Sequence, residues 1–183
     1  MWMGKSHVTL TFDRSIVQGL ESLVSRVPYL CPSPLRGKGL IAPVDYHLTV
    51  YYGFAPSACA ADVQEWLDAH FRGGLCLRTV GLMSHSVSGL RCFGVEVKSF
   101  GLLQLNHWLG QHPLALPSIF KVYRPHITLG YFQPSFNLGL LAPQDSPFGP
   151  GGELRGLLSD QRFDCWFVDG VSRCSTRLHL SGG

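Results

Sequence analysis

Two short strings in this chain carry residues fit for chemistry: Tyr46-His47-Leu48-Thr49-Val50-Tyr51-Tyr52-Gly53 and Pro125-His126-Ile127-Thr128-Leu129-Gly130-Tyr131-Phe132. Each sets a His and a Thr two residues apart inside an apolar run that reads as a β-strand. Alternation along a strand sends residues i and i+2 to one face. His47 and Thr49 are therefore expected to point one way, with Leu48 and Val50 turned into a core. His126 and Thr128 stand the same way over Ile127 and Leu129. Two imidazoles and two hydroxyls on matching strands suit phosphodiester cleavage without a metal. A neutral imidazole can take a proton from an attacking hydroxyl while a protonated one returns a proton to the leaving oxygen. The hydroxyls donate to the non-bridging oxygens, where charge develops.

With eight His and six Thr, composition alone predicts roughly 0.3 His-x-Thr triplets in the whole chain. Three occur, the third being His7-Val8-Thr9, which reads either as an edge-strand coincidence or as a lining of the same groove. His179-Leu180-Ser181 is a relaxed version near the chain end and reads as surface. Strict alternation places Tyr51 on the His47 face, where it would stack a base or pack into the core. Arg124, just ahead of the second motif, reads as a phosphate ligand or as a solvated loop arginine, and Tyr123 is similarly open. Glu153 would read an adenine amino group only if the long loop before it folds over the groove. His70, His85, His107 and His112 lack metal-ligand spacing with Cys or acidic partners, so no metal site is expected. Walker, GxSxG and Rossmann glycine signatures are absent, and Gly37-Lys38-Gly39 lacks the rest of a phosphate loop.

The elements that must position these residues follow from periodicity. His7 to Phe12 alternates as a strand, and Ser15 to Val27 follows as a helix capped by Asp13 or Ser15. Pro28 to Pro43 is a proline-rich loop, and Val44 to Tyr52 is the first motif strand. Ala60 to Phe71 is a helix; strands Leu75 to Ser84 and Leu90 to Lys98 follow, joined by a Ser/Gly turn. A helix from Phe100 to Gly110 and a Pro-bounded connection lead to the second motif strand, His126 to Phe132. Pro134 to Gly152 is a long Pro/Gly-rich loop. Asp169-Gly170, between Arg162 to Val168 and Val171 to Leu180, signals a two-residue type I′ hairpin. The order of elements indicates an α+β fold.

A hydrophobic content of 45% with 15% charged residues describes a packed globular chain. The net charge of +3 is compatible with an anionic substrate in a local cleft but is not the footprint of a protein that coats long nucleic acid. Arg outnumbers Lys eleven to four, which favours bidentate phosphate contacts. Six Cys without a CxxC pair read as free thiols in a reducing compartment. No cleavable signal peptide or apolar run of transmembrane length is visible, so the expectation is a cytoplasmic protein with no membrane partner.

With its two motifs, His47-Leu48-Thr49 and His126-Ile127-Thr128, the chain resembles the two-histidine (2H) phosphoesterase superfamily. The resemblance implies a single bilobal domain over residues 1–183, with two pseudo-symmetric β-rich lobes and outer helices around a central groove. By the same resemblance, His47 and His126 share the base and acid roles, and Thr49 and Thr128 hold the phosphate. Tyr51 and Arg124 are candidate substrate contacts beside them, and no cofactor is implied. The implied activity is cleavage of a small oligonucleotide signal, 2′-5′ oligoadenylate or a cyclic oligonucleotide, as in viral and phage antagonists of host nucleotide-based immunity. A 2′,3′-cyclic phosphodiesterase or RNA-end processing enzyme is the alternative within the class. A nucleotide- or RNA-binding module without turnover is the alternative outside it.

Overall fold

The computed structural model describes residues 5–25, 46–87, 90–118, 122–132, 157–158 and 163–180. The expected loops at Pro28 to Pro43 and Pro134 to Gly152, the Ser/Gly turn at 88–89, and Glu153 lie outside the described residues. The chain order is β1 (Ser6–Phe12), α1 (Arg14–Ser25), β2 (His47–Phe54), α2 (Ala60–His70), β3 (Arg78–Val87), β4 (Leu90–Lys98), α3 (Phe100–Gly110), β5 (His126–Phe132), β6 (Phe163–Val168) and β7 (Ser175–Leu178). The strands form one seven-stranded sheet in the order β3-β4-β5-β2-β1-β6-β7. Every pairing in it is antiparallel. The fold is α+β, and the two motif strands, β2 and β5, are neighbours at its centre.

Local chemistry sets the helix starts. Asp13 caps α1: its Oδ1 accepts from the Ser15 and Ile16 amides, both at 3.0 Å. These are amides that the first turn leaves without helical partners. Ser99 caps α3 in the same way, its hydroxyl accepting from the Leu102 amide at 3.3 Å. At α2 the Cys59 amide donates to Asp62 at 3.1 Å.

The helices share one task. Ile16, Leu20, Leu23 and Val24 of α1, Val63 and Leu67 of α2, and Leu102, Leu105 and Leu109 of α3 join a single buried cluster with the inward side chains of the sheet. Val8, Leu10, Leu48, Val50, Phe93, Val95, Ile127 and Leu129 supply the sheet side of that cluster, each 0% exposed. Complete burial of an aliphatic side chain of this size stabilises by about 1.5–3 kcal/mol. The alternating positions between them carry the His and Thr side chains, so one face of the sheet is committed to helices and the other to polar groups. No described helix is long and apolar enough to cross a membrane.

The hairpin between β6 and β7 differs from expectation. Val168 pairs with Ser175, so the connection has six residues and not two. The Asp169 carboxylate accepts from the amides of Val171, at 2.7 Å, and Ser172, at 3.3 Å. The Asp169 amide donates to the Cys174 carbonyl at 2.9 Å. The side chain thus takes the amides that a tight turn would have aligned. The left-handed conformation falls at Arg173 (φ 58°), not at Gly170.

Candidate active site

β2 and β5 meet antiparallel through the pair Leu48–Ile127. One step to either side, antiparallel running sets Thr49 against His126 and His47 against Thr128. Each motif histidine therefore lies across the seam from the other motif's threonine, on the face away from the core. His47 is exposed, while Thr49, His126 and Thr128 are half-buried.

Both motif strands carry a bulge at the same place. On β2, Thr49 pairs with Thr9 and Tyr51 with Val8, so Val50 is an extra residue with no partner on β1. On β5, Thr128 pairs with Gly94 and Gly130 with Phe93, so Leu129 is extra against β4. A bulge inverts the alternation beyond it. Tyr51, expected on the His47 face, is instead 6% exposed within the core cluster, and its hydroxyl donates to the Leu116 carbonyl at 2.6 Å. Tyr52 takes the polar side, its ring 5.4 Å from that of His7.

Two side chains hold the carbonyls that follow the first motif. The Asn106 amide of α3 donates to the carbonyl of the bulged Val50 at 2.7 Å, and the Tyr123 hydroxyl donates to that of Thr49 at 3.1 Å. Asn106→Ala leaves the Val50 carbonyl without this donor and is expected to cost about 1–3 kcal/mol of stability. Chemical denaturation reads the loss; an unchanged midpoint and slope would mean that the bulge needs no such support.

A cavity of about 310 Å³ opens beside the motif pair, lined by Thr49, Tyr51, Tyr52, His85, Arg124 and His126 among others, so Tyr51 borders it as well as packing in the core. His47 and Thr128 stand on the same sheet face but outside its lining. His126 Nδ1 lies 2.8 Å from the Arg124 carbonyl. A carbonyl only accepts, so Nδ1 carries the proton and Nε2 is left for chemistry. Arg124 reaches Glu96 at 3.0 Å, remains half exposed and lines the cavity.

His85, on β3, is the side chain that sequence spacing did not single out. Its ring lies 5.2 Å from that of His126, at 73°. Burial lowers its pKa, and the neighbouring His126 and Arg124 charges lower it further. Cys92 on β4 lies across from His85 in the strand register, and its Sγ is 3.7 Å from the Thr128 hydroxyl. Burial raises the Cys92 pKa to about 11, against a smaller opposite effect of Thr128. The ligating atoms of His85, Cys92 and His126 all lie within 4.8 Å of one another.

The third His-x-Thr string belongs to the same face. Thr9 pairs with Thr49 and Thr11 with His47 across β1 and β2. Burial lowers the His7 pKa, the Lys5 carbonyl 3.3 Å away partly restores it, and the His47 charge lowers it again. A histidine whose folded pKa is depressed binds fewer protons than in the unfolded chain. Its contribution to stability is complete above the ordinary value of about 6.5 and is lost as the pH falls through the lowered one. Melting curves between pH 8 and 5 should fall less steeply for His7→Phe than for the wild type. Parallel curves would show that His7 does not contribute.

No protein-family model matches the chain, and no curated protein matches it.

Proposed function

We propose that the chain is a phosphodiesterase that cleaves a small oligonucleotide signal, 2′-5′ oligoadenylate or a cyclic oligonucleotide, with His47 and His126 as the acid–base pair. The observation that supports this reading is the placement of both motifs, antiparallel and adjacent, on one polar sheet face. One imidazole removes the proton from the attacking hydroxyl or water as the other protonates the departing oxygen. Thr49 and Thr128 donate to the non-bridging oxygens, and Arg124 offers charge at the rim. These groups perform the work that a metal ion does in other phosphodiesterases, so the reaction is proposed to be metal-independent. The cavity volume of about 310 Å³ suits one nucleoside unit beside the scissile phosphate, which favours a small substrate over a long RNA.

The finer architecture belongs to the same proposal. We read β1–α1–β2 and β4–α3–β5 as two pseudo-symmetric lobes around a central groove. The equivalent bulges after Thr49 and Thr128 support this reading, as does the mirrored strand order outward from the β2–β5 seam. A cytoplasmic location would match the substrate.

The test is product analysis by mass spectrometry with EDTA present. The substrates are 2′-5′ and 3′-5′ oligoadenylate, cyclic di- and trinucleotides, and 2′,3′-cyclic AMP. Cleavage of an oligonucleotide that persists in EDTA supports the reading. Cleavage confined to 2′,3′-cyclic AMP moves the protein to RNA-end chemistry. Binding without any product would make it a nucleotide-binding module.

A further inference from the structure

We propose that His85, Cys92 and His126 form a binding site for a zinc-class divalent ion, and that the ion, by occupying His126, switches the active site off. The inhibitory half rests on the proposed function, whereas the binding half stands on geometry alone.

Three adjacent strands bring the ligands together. Cys92 faces His85 across the β3–β4 pairing, and β5 lies on the other side of β4. The two imidazole rings are 5.2 Å apart, and the three donor atoms lie within 4.8 Å of one another. Tetrahedral zinc with these ligands requires donor separations of about 3.3–3.6 Å, so closure takes side-chain movements of roughly 1 Å. Two imidazole nitrogens and one thiolate sulfur form a borderline-soft set, suited to zinc or cobalt and unsuited to magnesium or calcium.

Two further observations point to a ligand. The Nδ1 of His85 is buried and has no hydrogen-bond partner. Buried polar atoms are rarely left so. The His126 Nδ1–H donates to the Arg124 carbonyl, leaving Nε2 as the coordinating atom. This carbonyl-anchored arrangement is the usual support of a metal-binding histidine. Arg124, whose charge acts on His85, is itself paired with Glu96 at 3.0 Å. Binding would transfer the Cys92 thiol proton to solvent and use both imidazoles in their neutral forms, releasing one proton per ion with no redox change.

The consequence follows from His126. A coordinated Nε2 can neither accept nor return a proton, so an ion at this site would block acid–base chemistry while His47 stays uncoordinated.

The experiment titrates Co²⁺ into the full chain under reducing conditions, in a background where Cys31, Cys59, Cys76 and Cys174 are Ser. The expected result is a thiolate-to-cobalt charge-transfer band in the near ultraviolet that saturates at one equivalent and is displaced by Zn²⁺. Cys92→Ser should abolish the band. His85→Gln, a milder change should Cys92→Ser fail to fold, should weaken Co²⁺ binding by on the order of 100-fold. No band, or one that survives Cys92→Ser, overturns the site. A parallel assay measures Zn²⁺ inhibition of cleavage in EDTA-free buffer. Equal inhibition of the wild type and His85→Gln overturns the switch. A protein that shows the band but cleaves no substrate overturns the phosphodiesterase reading and the switch together, and supports the metal site alone.

Discussion

Replacing either His47 or His126 by alanine is expected to lower turnover by on the order of 10³-fold. A positioned general acid or base contributes about 10²–10⁴-fold. Because the two imidazoles act on one displacement, the double variant should fall little further than the worse single one. Stability should change little, since both side chains stand on the polar face while Leu48 and Ile127 beneath them carry the packing. For exposed His47 the change should stay within about 0.5 kcal/mol, and for half-buried His126 the lost bond to the Arg124 carbonyl adds about 0.5–1.5 kcal/mol. Initial rates by product chromatography, read beside thermal melts, separate the two effects. Wild-type turnover in either variant would remove that histidine from the chemistry.

Gly94→Ala is expected to lose both stability and activity, although residue 94 touches no substrate in the proposed reaction. A Cβ at this position would sit 2.6 Å from the Ile127 carbonyl oxygen and 3.3 Å from its carbon. Both are backbone atoms of the second motif, so no side-chain rotation can relieve the clash, and β5 itself must shift. Overpacking of this kind costs about 1–3 kcal/mol. A displacement of about 1 Å at His126 can cost roughly 100-fold in rate. Gly81→Ala provides the control. Gly81 also sits at a register shift, between β3 and β4, but a Cβ there meets nothing within 4 Å. Chemical denaturation and initial rates should set the two variants clearly apart. If Gly94→Ala behaves like Gly81→Ala, the close approach of β4 to β5 does not hold the motif in place.

Much of this arrangement was legible because burial imposes strict patterns on sequence. α3 and β5 begin and end where periodicity placed them, at Phe100–Gly110 and His126–Phe132. The His and Thr of both motifs share strand faces because Leu48 and Ile127 leave them no other choice. What escaped the reading breaks the rules of alternation or spans several strands. Tyr51 was assigned to the wrong face because the extra residue Val50 resets the period, and nothing in a Val-Tyr-Tyr run announces a bulge. His85 fell one position beyond the expected end of its strand, so it was given no face of the sheet. The meeting of His85, Cys92 and His126 depends on β3, β4 and β5 lying side by side, and spacing along a chain does not encode which strands become neighbours. The β6–β7 turn was misread because the Asp169 side chain competes for backbone amides that a two-residue turn needs.

The antiparallel seam at Leu48–Ile127 has a bearing on directionality. Two motifs related by reversal present an acid and a base whose positions exchange when the substrate is turned end for end. On the proposed chemistry, the catalytic quartet alone would accept a phosphodiester strand threaded either way. The cavity breaks that equivalence, since among the described residues it is lined by Thr49 and His126, with Tyr52, His85 and Arg124, and not by His47 or Thr128. A nucleoside seated there fixes which oxygen becomes the leaving group and thereby which imidazole must start protonated. The polarity of cleavage is then a property of the side pocket, and reshaping that pocket is the route by which one such scaffold would come to cut a different linkage.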